Sequence, residues 1–123
     1  MAILYQVRTD GSQVERWELT AKPFVLGRGE CSDALVEDDA LSQAHFLITK
    51  EAEGFLLIDL HSTNGTWVNG ERVSAHKLRP KNVILAGGSL FYFSDVPTST
   101  FLLPGIATPA ATDAGTRPRT GAD

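Results

Sequence analysis

The chain has one cysteine, Cys31, in 123 residues, so no internal disulfide can form and nothing points to a secreted, cross-linked scaffold. It has no apolar run near the roughly 20 residues that a membrane-spanning helix needs. The opening stretch MAILYQVRTDG lacks a basic start and a cleavage site, so no signal peptide is expected. These absences make a cytoplasmic protein the expectation. Basic residues are also in short supply: 11 Lys and Arg stand against 15 Asp and Glu, for a net charge of −4. A basic stripe for nucleic acid or an anionic membrane is thereby excluded. One local anion site is not, because a single Arg with backbone and hydroxyl donors can hold one phosphate.

Helix signals are nearly missing too. No window sustains an i, i+3, i+4, i+7 stripe, and without β–helix–β alternation there is no dinucleotide-binding unit or phosphate loop, and no cofactor is expected. His45, His61 and His76 show no ligand spacing, so no metal is expected.

Strand signals are dense instead. ILYQVRT (3–9) and QVERWEL (13–19) flank the turn DGS. FVLGR (24–28) and ALVE (34–37) are short apolar runs. AHFLITKE (44–51) and GFLLIDL (54–60) form a hairpin around 52–54. TWVNGERV (66–73) centres a second hairpin on Asn69-Gly70, whose residues tolerate positive φ and which any good turn pair could replace. NVILAG (82–87) and SLFYFS (89–94) close the pattern. About ten short strands at this spacing predict an all-β, antiparallel sandwich or barrel, and in a sandwich the loops gather at the two ends. After Val96-Pro97 the composition turns to Thr, Ala, Pro and Gly. The reading is a domain over 1–96 and a flexible tail or linker over 97–123.

Three loop segments carry polar groups with no place in a core: Gly27-Arg28, Ser42-Gln43-Ala44-His45 and Thr63-Asn64-Gly65. Ser42 precedes one strand of the 44–60 hairpin and Thr63 follows the other, so topology alone makes their loops neighbours. Together they offer a guanidinium, two hydroxyls and an amide, a donor set that fits a phosphate. The competing enzyme reading is a Ser42, His45, Asp59 triad. It lacks a nucleophile elbow, and on an extended segment Ser42 and His45 would face opposite ways. The expectation is therefore no catalysis. A third reading is a sandwich that binds proteins without phosphate.

The motifs GR (27–28), SQAH (42–45) and DLHSTNGTWVNG (59–70), in this order and spacing, resemble the forkhead-associated (FHA) domain. The likeness covers about residues 3–94. It implies an eleven-stranded β-sandwich that binds phosphothreonine peptides, and hence signalling downstream of a Ser/Thr kinase. It implies that Arg28 grips the phosphate, that Ser42 and Thr63 contact it, and that Asn64 holds the peptide backbone. Gln43 stands where the family often has Asn or Arg and can still reach as a donor. His45 braces the loop from behind, and Gly27 and Gly65 let the backbone turn. Ala40 replaces an Arg that some members use to select an acidic residue, and the neighbouring Glu37-Asp38-Asp39 should repel acidic peptides. The tail adds six threonines (Thr98, Thr100, Thr108, Thr112, Thr116 and Thr120), one of which, once phosphorylated, could drive self-association.

Overall fold

A computed structural model describes residues 2–30 and 32–101. Eleven strands follow in order: β1 (Ala2–Val7), β2 (Gln13–Leu19), β3 (Phe24–Gly27), β4 (Ala34–Leu35), β5 (Phe46–Glu51), β6 (Gly54–Asp59), β7 (Thr66–Val68), β8 (Glu71–Val73), β9 (Ala75–Leu78), β10 (Val83–Ala86) and β11 (Ser89–Ser94). They form a six-stranded sheet, β2-β1-β11-β10-β7-β8, and a five-stranded sheet, β4-β3-β5-β6-β9. Among the described residues there is no helix, and so none long and apolar enough to cross a membrane.

Alternation decides which side chains meet between the sheets. Along β1, Ala2 and Leu4 point inward. They join Leu26, Phe46, Ile48, Leu57, Ile84 and Phe91, all at most 1% exposed, in the central core. The intervening Ile3, Tyr5 and Val7 form a second apolar cluster with Val83, Leu90 and Tyr92. β1 and β11 are thus buried on both faces, which is why ILYQV and SLFYF read as continuous rather than alternating apolar runs.

Three details differ from the sequence reading. The strand missed there is β9, whose AHKL buries only Leu78 and pairs along the edge of the five-stranded sheet; one buried residue in four gives no period to detect. The β3–β4 pair is parallel, Leu26 against Ala34 and Gly27 against Leu35, in an otherwise antiparallel structure. And the expected boundary at 96 is not a break in packing. Phe101 is buried, with its ring 4.8 Å from Tyr5 and 5.2 Å from Tyr92. The Thr98 amide donates to the Tyr5 hydroxyl at 2.9 Å. The remaining tail, 102–123, lies outside the described residues.

The hairpin over 66–73 has the two-residue turn its sequence calls for. Asn69 and Gly70 take φ of 51° and 88°, as a twisted two-residue hairpin turn requires. Asn69 does more than turn. Its side-chain oxygen accepts the Val83 amide at 2.9 Å, and its own amide donates to the Val83 carbonyl at 2.8 Å. The pair is therefore not freely replaceable. Asn69→Ala leaves the buried Val83 N–H unpaired and should cost about 2 kcal/mol in urea denaturation. Asn69→Asp keeps an acceptor and should cost less than about 1 kcal/mol.

Candidate functional site

The three polar segments come together at one end of the sandwich. The β5–β6 hairpin sets this up, since Phe46 pairs with Asp59 and the chain entering β5 lies beside the chain leaving β6. Hydrogen bonds join the loops: the Thr63 amide donates to Ser42 Oγ at 3.0 Å, and Asn64 Nδ2 donates to the Ala40 carbonyl at 2.8 Å. Arg28 joins them from the end of β3. Its amide donates to the Ser42 carbonyl at 3.1 Å and its Nε to the Leu41 carbonyl at 2.7 Å. Arg28, Gln43, Thr63 and Asn64 are exposed and Ser42 is half-buried.

Capacity remains after these internal bonds. With Nε committed, Arg28 keeps its two terminal NH2 groups, the fork that a phosphate or carboxylate accepts in pairs. Ser42 Oγ accepts from Thr63, so its proton is available to a ligand, as is that of Thr63. The arrangement is a small bowl of donors with a cation at its rim.

His45 lies behind this bowl, fully buried. Its Nδ1 accepts the Ser42 amide at 3.0 Å, so Nε2 carries the proton and donates to the Gly65 carbonyl at 2.8 Å. Both ring nitrogens are spent on backbone, one on each loop, in a neutral tautomer. Burial depresses its pKa, against the opposing pull of the Gly65 carbonyl and of Asp59 and Asp38. Burial would push the Asp59 carboxyl up, but hydrogen bonds from Ser62 and Thr66 outweigh it and hold the group below its usual range. Asp59 takes Thr66 Oγ1 at 2.7 Å and the Ser62 amide at 3.1 Å, which fixes both ends of the 60–65 loop.

This geometry removes the triad reading. Residues 40–45 are a series of bends rather than an extended segment, so Ser42 and His45 do not face opposite ways. The ring contacts the Ser42 amide rather than its hydroxyl, and Asp59 serves Ser62 and Thr66.

The two glycines act differently. Gly65 does turn the chain, at φ 89°. Gly27 does not; its φ is ordinary, and it is needed for close approach. A Cβ there would lie 2.2 Å from the Gln43 carbonyl oxygen. The sequence reading missed Arg72, whose guanidinium lies against Gly65, near enough that a Cβ on Gly65 would be 2.7 Å from Arg72 Nε. A two-residue turn at Asn69-Gly70 pairs Trp67 with Arg72 across β7 and β8, so the position was readable from the hairpin register.

Gly27→Ala should cost on the order of 3 kcal/mol in chemical denaturation, because backbone rather than a flexible side chain has to move. The unfolded chain takes up a proton near pH 6.5 that folded His45 refuses. Stability is therefore complete above about pH 6.5 and falls on acidification, by at most about 1.4 kcal/mol per unit. Urea midpoints at pH 7.5 and 5.5 should show the drop in the wild type and a shallower one in His45→Gln.

The sequence model of the FHA domain matches residues 24–87. The FHA domain-containing protein FhaA of Mycobacterium tuberculosis is 31% identical over 83 residues, covering 68% of this chain and 16% of that protein. The chain therefore spans about a sixth of that relative's length. The crystal structure of the FhaA FHA domain, complexed with the intracellular domain of another protein, gives a TM-score of 0.69 at 31% identity, covering 76% of this chain and 99% of that one. A structure from work on phosphothreonine-dependent FHA domain interactions gives 0.70 at 31% identity, covering 79% and 98%. The FHA domain of the CT664 protein from Chlamydia trachomatis, at 23% identity and a TM-score of 0.70 over 78% of this chain and 98% of that one, shares the fold.

Proposed function

This chain belongs to the FHA domain family, and we propose that it binds phosphothreonine peptides through Arg28, Ser42, Gln43, Thr63 and Asn64. The observation that carries the reading is the convergence of the three loops, with the Thr63 amide on Ser42 Oγ and Arg28 fastened to the Leu41 carbonyl. Solved relatives complexed with a protein domain or studied for phosphothreonine dependence support it.

In this reading the Arg28 fork takes two phosphate oxygens, and the Ser42 and Thr63 hydroxyls donate to the others. Asn64 holds the peptide backbone beside the phosphate, using its remaining N–H and its side-chain oxygen. The exposed Gln43 amide reaches the ligand from the facing loop. His45, Gly27 and Gly65 support these groups without touching the ligand.

Magnitudes favour a moderate binder. Four charge-assisted hydrogen bonds at roughly 1.5–3 kcal/mol each give a gross ~6–12 kcal/mol. Association and side-chain ordering take back a large part. A micromolar Kd requires about 8 kcal/mol net, so backbone contacts through Asn64 have to contribute. Threonine without phosphate forfeits the charged contacts and should bind too weakly to measure. The mark would be written by a Ser/Thr kinase, and a cytoplasmic setting is part of the same proposal. A phosphorylated tail threonine would make self-association a second use of the same site.

A phosphopeptide array and titration calorimetry on wild type and Arg28→Ala test this. We expect a Kd on the order of micromolar for the wild type and a loss of at least about 30-fold in the variant. Equal binding to phosphorylated and unphosphorylated peptides would replace this reading with a phosphate-independent scaffold.

A further inference from the structure

Arg72 stands beside the proposed site with its charge uncommitted. Its guanidinium carbon is 5.5 Å from the centroid of the Trp67 ring, its cross-strand neighbour. From there the side chain runs toward the loop end of the six-stranded sheet and rests against Gly65, in space that any side chain on Gly65 would fill. Gly65 follows Thr63 and Asn64 directly. Among the described residues the one ion pair is Arg16 with Glu18 at 3.6 Å, so no carboxylate neutralises Arg72. The residue is exposed. A stacked, exposed guanidinium is a rigid fork held ready for an anion rather than a freely moving chain.

The opposite flank has the other sign. Asn64 Nδ2 bonds the Ala40 carbonyl, and just before Ala40 stand the exposed Glu37 and Asp39. Asp38 between them is spent structurally, accepting the Gly88 amide at 2.8 Å and Ser89 Oγ at 2.7 Å. A peptide crossing the bowl thus meets acid on the side of residues 37–39 and a cation on the side of Gly65.

We infer that Arg72 is a specificity-determining residue that binds an anionic group on the phosphopeptide, one placed to pass over Thr63–Gly65. The inference rests on the phosphothreonine reading. The anion is either a carboxylate or a second phosphate, which share the bidentate chemistry that Arg selects. Trp67 fixes the height of the fork, and Gly65 leaves it room to reach the ligand.

The test is fluorescence polarisation with one phosphothreonine peptide in which Ala, Asp, Lys or phosphoserine is placed in turn at three positions on either side. The wild type should prefer Asp to Ala at one position by about three- to tenfold. Arg72→Met keeps the apolar stem over Trp67; it should erase that preference and leave the Ala peptide's affinity unchanged. Arg72→Glu should favour Lys over Asp at the same position. Phosphoserine binding better than Asp there identifies a second phosphate as the anion, and equal binding identifies a carboxylate. Absence of any acidic preference in the wild type, or its persistence in Arg72→Met, overturns the inference. So does an equal loss for every peptide, which would make Arg72 only a prop for the hairpin. If the Ala peptide binds no better with phosphothreonine than with threonine, the phosphothreonine reading fails first and takes this one with it.

Discussion

Everything at the loop end depends on one buried imidazole. His45 spans the gap between two backbones, taking the Ser42 N–H on one side and giving its own N–H to the Gly65 carbonyl on the other. Only a neutral ring in one tautomer can do both, and burial keeps it neutral. A lysine there could not accept, and an apolar side chain would leave two buried backbone groups unpaired. The ring holds the Ser42 and Thr63 loops at a fixed separation, and that separation defines the bowl.

A second layer of bonds completes the positioning before any ligand arrives. Ser42 Oγ meets the Thr63 amide, Asn64 meets Ala40, and Arg28 Nε meets Leu41. Each leaves a further donor free. Side chains already held in place lose less freedom on binding than mobile ones do, so more of each contact is available as affinity. The same economy holds for Asp38, whose carboxylate ties the 37–41 loop to the turn between β10 and β11.

Much of this was legible in the sequence. The hairpins declared themselves through Asn69-Gly70 and through 52–54, because turn chemistry is local. Adjacency of the Ser42 and Thr63 loops followed from a hairpin whose arms had to return to the same end. What escaped was non-local or sparse. β9 carries one inward side chain and gave no period. Gly27 looked like a turning residue, and its actual reason, a backbone passing 2.2 Å from where a Cβ would stand, belongs to a loop sixteen residues on. The bends over 40–45, which bring the Ser42 amide to His45, could not be read as other than extended from residue types alone. Phe101 lay in a stretch of linker-like composition, and only the presence of Tyr5 and Tyr92 on the outer sheet face gives it a place to bury.

That last packing sets where the chain emerges. After β11 the chain returns along the outer face of the six-stranded sheet, past the Tyr5 hydroxyl, and brings the Phe101 carbonyl to within 3.5 Å of a Cβ built on Gly11. Gly11 lies in the turn after β1, and β1 ends where Val7 pairs with Leu90, just beyond the Gly88 that Asp38 holds. The described chain therefore finishes at the same pole as the bowl. Phe101, the last described residue, is thus held at the end of the sandwich that carries Arg28, Ser42 and Thr63, and not at the opposite end where the 52–54 hairpin turns.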